Sequence, residues 1–327
     1  MKKITVTGAA GLIGRSVIKN LLNRNHNYHI NAIDIVEDSL FKDLDEKRFI
    51  YYKGNCRDFE FIDSIISKSD AVIHLAAPAS FLMYKEDPIK STMNTVESFL
   101  NIMESMKKHN VQKIVHASTS AVYEGHPVPY SESMQIDPPD LKALSKKVNE
   151  EIGEQYARSY GITSIAMRPF SVYGDYEGKK GGYANITSLF VWAMISGEIP
   201  VVWGDGKQTR DFIHADDVAE AFALALEKDI KTQPLNVGIG IETSFNEVIE
   251  LINNILKKQS KPRYVPIPID IYAIRLLSDN KQVEKVLGFK PKISLQEGLE
   301  RMIATAKVKI KKEKELAKKQ MYFETLR

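Results

Sequence analysis

Apolar residues run through the first half of the chain in two alternating rhythms. Short runs rich in Val and Ile, at 3–7, 29–34, 48–52, 71–75, 112–118 and 162–168, predict strands. Between them, at 12–24, 58–68, 88–109 and 140–160, apolar positions recur at helical spacing, as in Val17, Ile18, Leu21 and Leu22. This alternation predicts an α/β fold in which a doubly wound parallel sheet carries helices on both faces. Ligands of such a sheet lie beyond the carboxyl ends of its strands.

After Arg168-Pro169 the rhythm changes. Gly174, Gly178, Gly181 and Gly182 precede an apolar helix near 185–196, an extended run at 199–203 and the turn Gly204-Asp205-Gly206. A helix at 216–228 and a strand at 234–237 are expected to return to the sheet. The predicted organisation is a first domain over 1–170, rejoined at about 208–240, and a smaller carboxyl-terminal lobe over 171–303, mainly 171–207 and 241–303. A basic helical tail follows over 304–327.

The first strand runs into Thr7-Gly8-Ala9-Ala10-Gly11-Leu12-Ile13-Gly14-Arg15. Gly8, Gly11 and Gly14 let a strand turn tightly into a helix, and the N–H groups of that helix can then face a pyrophosphate. The second strand ends on Asp34, some twenty residues past the last glycine, where a carboxylate accepts hydrogen bonds from ribose hydroxyls and repels a 2′-phosphate. No Arg or Lys follows it at once. A Rossmann-type domain binding NAD rather than NADP is therefore expected.

Bulk properties narrow the class further. An apolar share of 43% is ordinary for a globular chain, and no apolar run has the length of a membrane span. Cys56 alone can form neither an internal disulfide nor a multi-cysteine metal site, so no metal is expected and a cytoplasmic setting fits. Of the net charge of +3, residues 304–327 supply a surplus of five positive charges, leaving the body two negative. A nucleic-acid groove needs a basic body, so no nucleic-acid partner is expected.

Several further segments, taken with the glycine loop, resemble the extended short-chain dehydrogenase/reductase family, in its branch of NAD-dependent nucleotide-sugar epimerases and dehydratases. They are Gly54-Asn55-Cys56-Arg57-Asp58, His74-Leu75-Ala76-Ala77, Ser118-Thr119-Ser120-Ala121-Val122-Tyr123, Arg168-Pro169-Phe170-Ser171-Val172-Tyr173-Gly174, Gly204 through Phe212, and Asn236-Val237-Gly238. Their order and spacing cover about residues 1–300. The resemblance implies that Leu12 and Ile13 bind the cofactor within the glycine loop, that Asn55 and Cys56 meet the adenine, and that Leu75, Ala76 and Ala77 back the nicotinamide half of NAD. It implies that Thr119 hydrogen-bonds the reacting sugar oxygen. It gives Arg210 the nucleotide diphosphate, Ser171 a place near the sugar phosphates and Asn185 a place beside the base. The family's second arginine is missing from its register near Ile269, and Arg275 or Arg263 could substitute.

The family's dehydratases carry an acidic pair just after the threonine, and Ser120 and Ala121 stand there instead. The family's Tyr-x-x-x-Lys pair is altered as well: Lys146 matches the lysine, which anchors the nicotinamide ribose, but Lys142 occupies the tyrosine position. Two amines at i, i+4 beside a cationic nicotinium ring favour loss of one proton, so a neutral Lys142 could serve as the base. The alternatives are that His126, Tyr84 or Tyr130 moves in, or that hydride chemistry is lost.

The resulting expectation is a nucleotide-sugar epimerase acting at C4 through a 4-keto intermediate. A dehydrogenase or ketoreductase, or a catalytically impaired NAD and nucleotide-sugar binding protein, are the alternatives. The resemblance also implies a homodimer formed through 88–109 and 140–160, and Met103 and Met106 fit either an exposed apolar position there or core packing.

Overall fold

Val, Ile and Thr residues dominate the strands at the centre of the fold. A computed structural model of the chain describes residues 2–24, 28–37, 41, 47–269 and 272–308. Its first half runs β1 (Lys2–Thr7), α1 (Leu12–Asn23), β2 (Tyr28–Asp34), β3 (Phe49–Lys53), α2 (Phe59–Ile66), β4 (Ala71–His74), α3 (Phe81–Glu86), α4 (Pro88–Lys108), β5 (Lys113–Ala117), α5 (Leu141–Tyr160) and β6 (Thr163–Pro169). The second half runs α6 (Ile186–Ser196), β7 (Val201–Trp203), β8 (Thr209–Asp211), α7 (Ala215–Glu227), β9 (Gln233–Val237), β10 (Glu242–Ser244), α8 (Phe245–Leu256), β11 (Arg263–Val265) and α9 (Lys281–Leu287). Residues 295–308 are helical. The rest of the expected basic tail, 309–327, lies outside the described residues.

Seven strands form one parallel sheet in the order β3-β2-β1-β4-β5-β6-β9. The chain moves outward from β1 to β3, then returns to the other side of β1 for β4, so a topological switch point lies between β1 and β4. Both faces are covered. Val17, Ile18 and Leu21 of α1 and Phe222 of α7 pack against one face, and Ile62, Phe99 and Ile102 of α2 and α4 against the other. Burial on two sides explains why β1 reads as a near-continuous run: Ile4 and Val6 are at most 1% exposed. The threonines between them bury hydroxyls that find partners, Thr5 with Ser69 Oγ at 2.6 Å and Thr7 with His74 Nδ1 at 2.8 Å.

A separate apolar cluster joins Phe190 and Met194 of α6, Val202 of β7, Phe245 and Ile249 of α8, and Leu299. α8 starts with a capping box in which Ser244 Oγ accepts from the Glu247 N–H and the Glu247 carboxylate accepts from the Ser244 N–H. Met103 and Met106, open in the sequence to either an exposed or a core position, are fully buried in the core beneath α4. The apolar residues that α4 and α5 expose are Ile89, Met93, Leu100, Leu141 and Leu144. Phase decides this: Met103 and Met106 share the inward stripe with Phe99 and Ile102.

Candidate active site

The chain leaves β1 at Thr7 and must turn into α1 within four residues. Gly8 adopts φ +65°, and a Cβ there would stand 2.7 Å from both the Leu75 carbonyl carbon and the Ala76 nitrogen. At Gly14 a Cβ would fall 2.2 Å from the Gly8 oxygen. Both positions therefore exclude any side chain. The helix begins at Gly11 with no side-chain cap, so the N–H groups of Leu12 and Ile13 in its first turn remain available to an anion. Thr7 Oγ1 accepts from the Leu75 N–H at 3.2 Å and the Ala76 N–H at 3.3 Å, fastening the end of β4 to the loop. Leu75, Ala76 and Ala77 follow β4 half-buried.

Asp34 closes the opposite side. One carboxylate oxygen accepts from the Ala10 N–H at 2.9 Å and the other from the Ile35 N–H at 2.7 Å. The Arg15 guanidinium, stacked 5.0 Å from the Tyr176 ring, also lies in the field of Asp34. Asn55 is exposed, its Oδ1 accepting from the Arg57 N–H at 3.0 Å. Cys56 is buried, and burial pushes its thiol up to about 12, which makes it a packing group rather than a nucleophile. A loop floor that a Cβ would fill, an uncapped helix start and a carboxylate closing β2 together fit a dinucleotide.

The reactive corner lies past β5. Thr119 caps the 3-10 turn Ser120–Tyr123, its Oγ1 accepting from the Ala121 N–H at 3.2 Å, which leaves its own O–H free to donate. That turn packs on α5, where Asp140 caps the helix by accepting from the Ala143 N–H at 2.8 Å. Lys142 is half-buried one turn before Lys146. Lys146 is only 5% exposed, and burial, reinforced by the charge of Lys142, lowers its ammonium to about 7. Beneath it His74 and His116 sit side by side on β4 and β5, their rings 5.8 and 4.7 Å from Phe99. Burial drives His116 down to about 3 and His74 well below its ordinary value, so both are neutral.

The hydroxyls of Tyr84, Tyr123 and Tyr130 are each engaged with other groups. The Tyr84 hydroxyl bonds Thr95 Oγ1 at 2.5 Å, and the Tyr130 hydroxyl donates to the Arg275 carbonyl at 3.2 Å. Tyr123 belongs to a buried network in which its hydroxyl accepts from Arg168 Nη1 at 2.5 Å and donates to Asn236 Oδ1 at 2.9 Å. Arg168 in turn makes two bonds to Glu150, at 2.8 and 2.5 Å. His126 is half-buried nearby in sequence.

On the substrate side, Arg210 of β8 lies between the rings of Phe245 and Tyr272, 5.3 and 5.4 Å from their centroids. One of its five N–H groups donates to the Thr209 carbonyl at 2.8 Å, and no carboxylate among the described residues bonds it. Ser171 is half-buried after β6. Asn185 caps α6: its Oδ1 accepts from the Thr187 N–H at 3.1 Å and its Nδ2 donates to the Val172 carbonyl at 3.1 Å. Arg275 is exposed and pairs with Glu242 at 2.5 Å, and Arg263 is exposed.

Sequence reasoning missed Glu124. It directly follows the 3-10 turn, half-buried, and its carboxylate lies in the field of Lys142, Asp140 and Arg210. An acidic residue immediately after Ser-Thr-Ser-Ala-Val-Tyr was the available signal.

Residues 4–238 match the model of the NAD dependent epimerase/dehydratase family, and the chain belongs to that family. Its coenzyme is NAD. The chain is 30% identical over 320 residues to UDP-glucuronate 4-epimerase of Thermodesulfobacterium geofontis, covering 93% of this chain and 96% of that one. It is 29% identical over 307 residues to UDP-glucose 4-epimerase of Mycolicibacterium smegmatis, covering 91% and 96%. The UDP-glucose 4-epimerase of Thermotoga maritima, solved with UDP-glucose, superposes with a TM-score of 0.88 at 28% identity, covering 94% of this chain and 99% of that one. No helix among the described residues is long and apolar enough to cross a membrane.

Proposed function

We propose that this chain is a nucleotide-sugar epimerase that inverts C4 through a 4-keto intermediate. The observation that carries the reading is the turn capped by Thr119 packing on the start of α5, the helix that bears Lys142 and Lys146, in a chain whose glycine loop excludes side chains at Gly8 and Gly14. The relatives that act at C4 of UDP-sugars support it. NAD held by this loop would supply the hydride acceptor and donor for the sugar carbon.

The chain's own groups do the rest. Gly8, Gly11, Leu12, Ile13 and Gly14 hold the pyrophosphate, Asp34 the adenosine ribose, and Asn55 and Cys56 border the adenine. Leu75, Ala76 and Ala77 line the nicotinamide side. Lys146 anchors the second ribose, where a diol can solvate an amine that is 5% exposed and makes no hydrogen bond among the described residues. Thr119 donates to the sugar oxygen and Lys142 exchanges its proton. Arg210 binds the diphosphate through its guanidinium, with Ser171 and Asn185 bordering the nucleotide.

We assign the coenzyme to residues 1–170 with the return at 208–240, and the sugar nucleotide to 171–303. The working form is a cytoplasmic homodimer joined through α4 and α5, whose exposed Ile89, Met93, Leu100, Leu141 and Leu144 supply an apolar face. Sedimentation as a monomer at micromolar concentration would remove the dimer.

The test is incubation with NAD and a panel of UDP-glucose, UDP-glucuronate and UDP-N-acetylglucosamine, followed by separation of the products. A 4-epimer without net NADH supports the proposal. Net NADH accumulation identifies a dehydrogenase instead, and intact binding without any product identifies a binding protein.

A further inference from the structure

We propose that Glu124 is the proton-holding partner of Lys142, so that a carboxylate and an amine together do the acid–base work at the position where Lys142 replaces the family's tyrosine. The inference rests on the epimerase reading above and adds a residue to it. Three observations place Glu124 there. It follows the 3-10 turn that Thr119 caps, so the chain itself carries it from the sugar-oxygen contact to the mouth of α5. The turn's Ala121, Val122 and Tyr123 pack in one cluster with Ala143, the residue after Lys142 at the start of α5. Its carboxylate takes part in no hydrogen bond or ion pair among the described residues, although the side chain is half-buried.

A carboxylate withdrawn from water without a bonded partner is costly unless something else meets it. The charged and titratable groups that face Glu124 are Lys142 and Asp140 from α5, Arg210 from β8 and the Tyr130 hydroxyl from the loop that follows. Burial raises its carboxyl, Lys142 and Arg210 pull it down, and Asp140 pushes it up again. Arg210 is assigned to the diphosphate. Lys142 is therefore the cation left to interact with Glu124 when substrate is bound.

The proton balance closes within the site. With the Lys142 and Glu124 side chains brought within hydrogen-bond reach in the substrate complex, the Lys142 ammonium gives one proton to the Glu124 carboxylate as its nitrogen takes the proton of the breaking sugar O–H bond. The amine thus ends as it began and the proton rests on Glu124. When the carbonyl carbon regains its hydrogen, the same two transfers run in reverse. Lys142 touches the substrate, and Glu124 acts through it as a positioning and storage group.

The experiment compares wild type with Glu124→Gln, Glu124→Asp and Lys142→Ala. Binding of NAD and of the nucleotide sugar, measured by calorimetry, should stay within about threefold of wild type in Glu124→Gln, while turnover falls roughly 10²–10⁴-fold. Glu124→Asp should recover part of the loss, and the acid limb of the pH–rate profile should vanish in Glu124→Gln. In the coenzyme-free protein, carbon NMR of labelled glutamate should show the Glu124 carboxyl titrating about one pH unit higher in Lys142→Ala than in wild type. An active wild type with an unaffected Glu124→Gln, or a Glu124 titration that ignores Lys142, overturns this proposal alone. A wild type that binds but isomerises nothing overturns the epimerase reading and this proposal with it.

Discussion

Replacing Lys146 by Met should make the coenzyme-free protein more stable while removing a coenzyme contact. The amine is 5% exposed and burial lowers it from 10.5 to about 7. Between those values the unfolded chain binds a proton that the native one does not, so native stability rises with pH across that window. At pH 7 the unfavourable contribution is about 4 kcal/mol, and by pH 9 it has fallen to about 2 kcal/mol. Met fills a similar volume and carries no charge, so the gap between Lys146→Met and wild type should narrow by about 2 kcal/mol over that interval. Denaturant unfolding at the two pH values measures it, because most other titrating groups contribute equally to both proteins. A gap of the same size at pH 7 and pH 9 would show that the amine is not depressed, and the account of this corner would fail.

Gly14→Ala forces a Cβ to 2.2 Å from the Gly8 oxygen, so the loop must open. NAD affinity should fall by at least tenfold in a calorimetric titration, with the sheet intact by circular dichroism. Glu150→Gln leaves the buried Arg168 guanidinium without its bidentate partner and should destabilise the fold by about 3–5 kcal/mol in urea unfolding. Cys56, its thiol raised to about 12, should resist iodoacetamide in the native protein for hours at pH 8 and react within minutes in denaturant. Rapid native labelling would contradict its burial.

How much of this was legible in the chain depended on whether a feature is local. The strands and helices of the first half fall within two residues of their expected bounds, because each carries its own apolar period and several carry their own caps. Asp58, Asp140 and Gly161 mark helix ends by themselves. α3, with six residues between Ser80 and Asp87, is too short to show a period. Glu124 was missed for a different reason. Its surroundings come from α5 and from β8, far along the chain, and nothing beside it in sequence announces them. The same holds for His74 and His116, which become a pair only through the register of β4 with β5.

Asp34 has a consequence for anyone wishing to redesign this protein. Its carboxylate both closes β2 and accepts from the Ala10 amide, so the residue that would discriminate between coenzymes is also a strut of the loop that holds either one. Swapping it for a small neutral residue to admit a phosphorylated ribose would slacken that loop at the same stroke. A change of coenzyme preference therefore requires a second substitution that braces Ala10 from elsewhere, and libraries that vary one position at a time will tend to discard the very variants they seek.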